Sequence, residues 1–247
     1  MDRRTFFAKI GVAGAATLVP TAALAERLEL EMALELEQAA TGQTQQNGQQ
    51  GGQQRQQREL APMPEKPALV DFFKLRFTTS NHCLQSATRA LKNGFPEETV
   101  FACLLHDTVL TMIRPDHGNW GDLLYKPYVP ETVSWAIKYH QALRFFPDPE
   151  NGYEYPEMYI RMFGADYKPE PYLVADYEYA KKHKWYMHSR MITMNDEYSF
   201  DRNARPNLDT FLDIIGRNFK QPKEGLGWDN SPSAHMWRTI INPNRPL

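Results

Sequence analysis

From residue 68 onward, apolar positions recur at intervals of three and four, and no stretch alternates convincingly between apolar and polar. That period predicts helices and no strands. Ser80 or Asn81 can cap a helix through "HCLQSATRALKNG", with Gly94 as its stop. Pro96, Glu97 and Glu98 open a second helix in the order favoured for a first turn, and its apolar run predicts continuation to about Ile113. "RPDHGNWGDLLYKPYV" reads as a loop and a short helix, after which Pro130 and Glu131 start "PETVSWAIKYHQALRFF". Beyond a loop rich in Tyr, Pro and Gly, residues 171–194 read as one long helix and "PNLDTFLDIIGRNF" as the last. The expected class is all-α, with a helical domain over 68–220 and a loop-rich tail over 221–247 that contains "GLGWDNSPSAHMW".

One place breaks the hydrophobic pattern in an informative way. "TVFACLLHDTVLTMI", residues 99–113, sets His106 beside Asp107 in an otherwise almost wholly apolar run. An unpaired imidazole or carboxylate is costly to bury, so the pair must be hydrogen-bonded, ion-paired or bound to metal. Its candidate partners are His82 in the preceding helix, His117 in the following loop, His140 in the next helix and Asp196 at the end of the long one. Asp201 is a nearby competitor for the last position. Four imidazoles and two carboxylates spread over a helical bundle suit two hard-to-borderline metal ions. Adjacent helical residues point about 100° apart, so His106 can serve one ion while Asp107 leans across to a second.

The ordered set H…HD…H…H…D, with "NHCLQSATRA" ahead of "FACLLHDTVL", resembles the HD-domain superfamily. Within it, "HCLQSA" and "KYHQALRFF" are similar to the mixed-valent di-iron oxygenases of the myo-inositol oxygenase and phosphonate-cleaving type, over roughly residues 72–200. The resemblance implies an HD-type helical bundle with one iron on His82, His106, Asp107 and Asp196. A second iron would take His117 and His140, with Asp107 shared. It implies dioxygenase chemistry, the oxidation or oxidative cleavage of a small hydroxylated, anionic substrate. Several positions depart from the pattern. Thr108-Val109-Leu110 stands where many members have Ile-Gly-His, and Phe72 and Leu75 occupy the positions of a Tyr and a Glu that cover the metals. Arg144 replaces a lysine one turn after His140; it can hold an anion bidentately as part of the catalytic set, or form a surface salt bridge. The commoner chemistry of HD domains, a Mn- or Mg-dependent phosphohydrolase, needs the same ligands, and a non-catalytic periplasmic protein retaining an HD core is a third reading.

The amino terminus adds a destination. "MDRRTFFAKIGVAGAATLVPTAALA" has Arg3 and Arg4, Phe6 and Phe7, Lys9, a short apolar run broken by Pro20, and Ala23-Leu24-Ala25. It resembles a twin-arginine export signal over residues 1–25, cleaved after Ala25. This implies handling by the twin-arginine translocation machinery, a periplasmic or secreted location and no permanent membrane span. Residues 26–67 read as a short acidic helix and a Gln/Gly-rich disordered linker stiffened by Pro62, Pro64 and Pro67. A net charge of −2 provides no basic field, so no nucleic acid is expected as a partner. The two cysteines, Cys83 and Cys103, fall in apolar helical patterns, where buried free thiols are the ordinary state. His183 and His188 read as surface residues on a Lys/Arg-rich helix. His235 and Trp237 fall in the tail loop, and the aromatic cluster over 145–178 reads as core.

Overall fold

The computed structural model describes residues 60–243, so the expected export signal and most of the linker lie outside the described residues. Ten α-helices and three 3₁₀ turns make up the regular structure, with no strand among the described residues. The all-α expectation is met.

Helix α1 (Leu69–Leu75) starts where Asp71 accepts the Ala68 N–H at 2.8 Å, and it buries Leu69, Phe72 and Phe73. Helix α2 (Ser80–Lys92) follows Thr79 as N-cap and gives way at Asn93 and Gly94, whose φ of +69° suits glycine. Helix α3 (Glu97–Leu105) opens behind Pro96 with Glu97 and Glu98 in its first turn, and every residue from Thr99 to Leu105 is buried. It stops at His106 rather than Ile113, and Thr108–Thr111 form a 3₁₀ turn. Side-chain hydroxyls cause the break: Thr108 donates to the Leu105 carbonyl at 2.7 Å, and Thr79 donates to the Asp107 carbonyl at 2.9 Å.

Helix α4 (His117–Tyr125) begins at His117, which is therefore its first residue and not part of a loop. The N-cap, Asp116, has a left-handed φ of +51°. Helix α5 (Glu131–Leu143) starts after Pro130 as expected. Short α6 (Glu157–Phe163) lies within the aromatic segment expected as loop. The expected long helix over 171–194 is instead two, α7 (Pro171–Ala180) and α8 (Tyr186–Asp196). Between them the His183 ring stacks on Trp135 at 4.4 Å and its Nδ1 accepts the Trp185 N–H at 3.2 Å, a local bond that competes with helix continuation. His183 and His188 are thus part of the packing rather than surface residues, His188 meeting the Thr99 hydroxyl at 2.8 Å.

A 3₁₀ turn (Leu208–Phe211) leads into α9 (Leu212–Asn218), which is not the last element. The tail expected as loop carries α10 (Ala234–Ile241), and Trp237 on it is fully buried 4.7 Å from the Phe72 ring and 5.7 Å from that of Tyr125. His235 lies on its exposed side. Phe72, matched in sequence to a position over the metals, is a core residue of this aromatic group.

Helix α5 packs on α3, α4, α7 and α8, while α2 lies against α3 and α8. One buried cation ties this arrangement together. Arg190 on α8 has no exposed surface and donates to the carbonyls of Leu143 and Phe146, both at 3.0 Å, so it closes the C-terminal end of α5. Its charge is balanced by Asp148, 3.4 Å away. Cys83 and Cys103 are buried and unbonded. No helix among the described residues is long and apolar enough to cross a membrane.

Candidate metal centre

Five stretches of the chain deliver ligands to one point. His82 comes from α2, His106 and Asp107 from the end of α3, His117 from the start of α4, His140 from the last turn of α5 and Asp196 from the end of α8. The break after α3 matters here, because it frees Asp107 from the helical direction and lets its carboxylate lie between the imidazoles. All six expected residues are brought together, in two groups that share Asp107. Each group could hold a metal ion: His82, His106, Asp107 and Asp196 in one, and Asp107, His117 and His140 in the other.

The spacing suits coordination. Ligand atoms about 2.1 Å from a common ion, at octahedral or tetrahedral angles, lie about 3.0–3.4 Å from one another. In the first group, His82 Nε2 is 3.0 Å from Asp196 Oδ1 and 3.4 Å from Asp107 Oδ2, and His106 Nε2 is 3.6 and 3.5 Å from the same atoms. In the second, His117 and His140 Nε2 are each 3.4 Å from Asp107 Oδ1. The Nε2 atoms face one another in pairs, His82 with His106 at 3.3 Å and His117 with His140 at 3.2 Å.

The tautomers make those short pairs meaningful. Each Nδ1 lies on a main-chain carbonyl: His82 on Ser199, His106 on Cys103, His117 on Arg114 and His140 on Ile137, at 2.5–3.1 Å. A carbonyl only accepts, so Nδ1 carries the proton and a neutral ring turns its Nε2 lone pair toward the centre. Two lone pairs 3.2–3.3 Å apart repel unless a cation sits between them. Asp107 Oδ1 and Asp196 Oδ1 are likewise buried with no hydrogen-bond partner among the described residues. A buried carboxylate oxygen left unpaired is expensive, and a metal ion would satisfy it. The residues present therefore fit a metal.

Charge points the same way. Burial acts to raise the carboxyls of Asp107 and Asp196, but the surrounding imidazoles outweigh it and hold both below the usual carboxylate range, ready as anionic donors. Burial acts to lower His82, yet Asp107 and Asp196 override it and hold the ring up to about 10. In the absence of metal, that proton does part of a cation's work. Burial dominates at His117, which is pushed down to about 3.

Asp201, the sequence competitor, is turned away, its carboxylate capping the Asn203 N–H at 2.8 Å. Arg144 is half-buried at the end of α5, one turn past His140, and its positive charge reaches His117. Two structural contributors were not singled out in the sequence. Gly118 lets α4 approach α5 beside His117, a role that "HGNWG" offered as a small residue next to a candidate ligand. Tyr159, on a helix of seven residues in a Tyr/Pro-rich segment, had no periodic signal to mark it. No protein-family model matches this chain, and no curated protein matches it either.

Proposed function

We propose that this chain is an HD-type di-iron oxygenase that oxidises or oxidatively cleaves a small hydroxylated, anionic substrate. The observation that carries the reading is the shared carboxylate, Asp107, whose two oxygens each face a separate pair of Nε2 atoms. One ion would be held by His82, His106, Asp107 and Asp196, and the other by Asp107, His117 and His140. Bound iron would supply one-electron redox chemistry and the activation of dioxygen.

The chain's own residues have distinct tasks. Asp107 fixes the separation of the two ligand groups. The main-chain carbonyls behind each imidazole lock ring orientation and raise its basicity. Arg144 holds the anionic end of the substrate near His117 and His140. The aromatic residues of α6, with Phe145, exclude water from that side. The twin arginines and Ala23-Leu24-Ala25 support export of the folded, loaded protein, and mass spectrometry of the mature form should find Glu26 as its first residue.

Electron paramagnetic resonance on anaerobically purified, ferrous-loaded protein tests the reading. Partial oxidation should give the signal of a coupled Fe(II)Fe(III) pair, and hydroxylated anions should then stimulate oxygen uptake. Iron that binds but never couples, together with Mn-dependent phosphate release from phosphoesters, would instead establish the phosphohydrolase. A native protein with neither metal nor activity would establish the non-catalytic reading.

A further inference from the structure

The wall beyond His140 holds hydroxyl groups that the fold does not use. The Arg144 N–H rests on the His140 carbonyl at 3.2 Å, and its guanidinium lies 4.7 Å from the Phe145 ring and 5.6 Å from that of Tyr159. Tyr159 is only 5% exposed and is wedged among Phe145, Tyr155 and Phe163, with ring centroids 5.8–6.3 Å apart. Buried phenols normally give their O–H to an acceptor. Their neighbour Tyr153 does so, donating to the Arg144 carbonyl at 2.7 Å. The Tyr155 hydroxyl is buried with no partner, and no acceptor among the described residues reaches that of Tyr159.

Both phenols belong to the surroundings of the metal centre. Burial first, then the carboxylates of Asp196 and Asp107 against the opposing pull of Arg144, hold the Tyr159 phenol well above its ordinary range. It is an O–H donor within electrostatic reach of two metal-facing carboxylates and one guanidinium. Burial likewise raises Tyr155, whose hydroxyl also feels Arg144. A guanidinium flanked by two O–H donors without acceptors is a group of like polarity that a bound oxyanion would satisfy.

We infer that Tyr159 and Tyr155 are substrate-binding residues, donating with Arg144 to the oxyanion end of a small organic anion bound beside the metals. The inference rests on the metal-centred reading above and extends it to residues on a different helix.

Calorimetric titration of the Mn(II)-loaded full chain with inorganic phosphate tests this, with glycerol as the uncharged comparison. Tyr159→Phe should weaken phosphate binding by about tenfold, the scale of a hydrogen bond to a charged group, and Tyr155→Phe should weaken it in the same direction. Glycerol binding, metal per chain and melting temperature should stay unchanged, because the deleted hydroxyls have no protein partner. Rings that serve only as packing would leave phosphate affinity where it was. A Tyr159→Phe affinity within about twofold of the parent chain overturns the inference. Should that variant fail to fold, Tyr155→Phe is judged by the same criterion. A parent chain that takes up no metal overturns the metal reading and this inference together, whereas normal uptake with unchanged phosphate binding overturns this one alone.

Discussion

Replacing Gly118 by alanine should remove one metal ion and leave the other. A Cβ at that position would lie 2.6 Å from the Lys138 carbonyl oxygen, 3.1 Å from that of Ile137 and 3.3 Å from the Lys138 carbonyl carbon, all main-chain atoms of α5. Neither helix can relieve such a contact by turning a side chain. To regain ordinary van der Waals distance, α4 must withdraw by about 0.8 Å at its first turn. His117 immediately precedes Gly118, and its Nε2 sits 3.2 Å from His140 Nε2 and 3.4 Å from Asp107 Oδ1. Metal–ligand distances tolerate only about 0.2 Å, so a shift of that size takes His117 out of its group. The bond from the Gly118 N–H to Gln141 Oε1, 3.1 Å long, is stretched by the same movement. His82, His106, Asp107 and Asp196 lie on other elements and should keep their ion. Plasma emission analysis should therefore find metal falling from two equivalents per chain to one, with about 1–3 kcal/mol of stability lost to overpacking. Gly216→Ala is the control. Its Cβ would meet nothing within 4 Å, and helix propensity predicts a neutral or slightly stabilising change. A Gly118→Ala chain that holds two equivalents and melts like its parent would refute this reasoning.

Asp107→Ala should abolish most metal uptake, since both groups lose their shared carboxylate, whereas Asp196→Ala should spare the His117–His140 side; near-normal uptake by Asp107→Ala would remove the bridging role. Arg190→Met strands Asp148 and the Leu143 and Phe146 carbonyls, so denaturant unfolding should show a loss of about 3–5 kcal/mol, and a loss below about 1 would show that the arginine is replaceable. Burial acts to raise the Asp148 carboxyl, but the Tyr186 hydroxyl, Asn151 and Arg190 outweigh it and hold it below its ordinary value. A carboxyl depressed in the folded state stabilises above its unfolded pKa, about 3.9, and that contribution is lost as pH falls through the lower folded value. Melting temperature should thus drop below about pH 4, less steeply in Asp148→Asn, and identical profiles would exclude this pair as a source of acid sensitivity.

How far the sequence could be read depended on whether a local feature had a local cause. His106 and Asp107 stood out because two costly polar groups inside an apolar run demand partners, and every partner expected for them lies at the centre. Proline and glutamate at the starts of α3 and α5 were similarly plain, because first-turn preferences act within a few residues. Failures arose where distant contacts decided. Nothing near His183 announces that its ring will stack on Trp135 and end α7, and the helical period runs through the break. Arg190 in "SRMITMND" looks like any solvated cation until the end of α5 is laid against it. Trp237 follows a string of Gly, Asn, Ser and Pro that reads as loop, yet its partners Phe72 and Tyr125 come from more than a hundred residues earlier. Tyr159 and Gly118 were invisible for the same reason: a hydroxyl without a partner and a missing Cβ matter only once neighbouring helices are in place.

The carbonyls behind the imidazoles have an evolutionary consequence. His106, His117 and His140 each rest on the carbonyl three residues earlier, so the group that sets the basicity of each ring is main chain from its own turn. Where a histidine leans on a carboxylate or a hydroxyl, a single codon change can retune the metal. Here no side-chain replacement at positions 103, 114 or 137 deletes the acceptor, which leaves three of the four rings insulated from drift. His82 is the exception, because its carbonyl belongs to Ser199, 117 positions away in sequence. Divergence among descendants of this protein should accordingly adjust its metal through the Ser199–Phe200 segment, the one handle that selection can turn without rebuilding a helix.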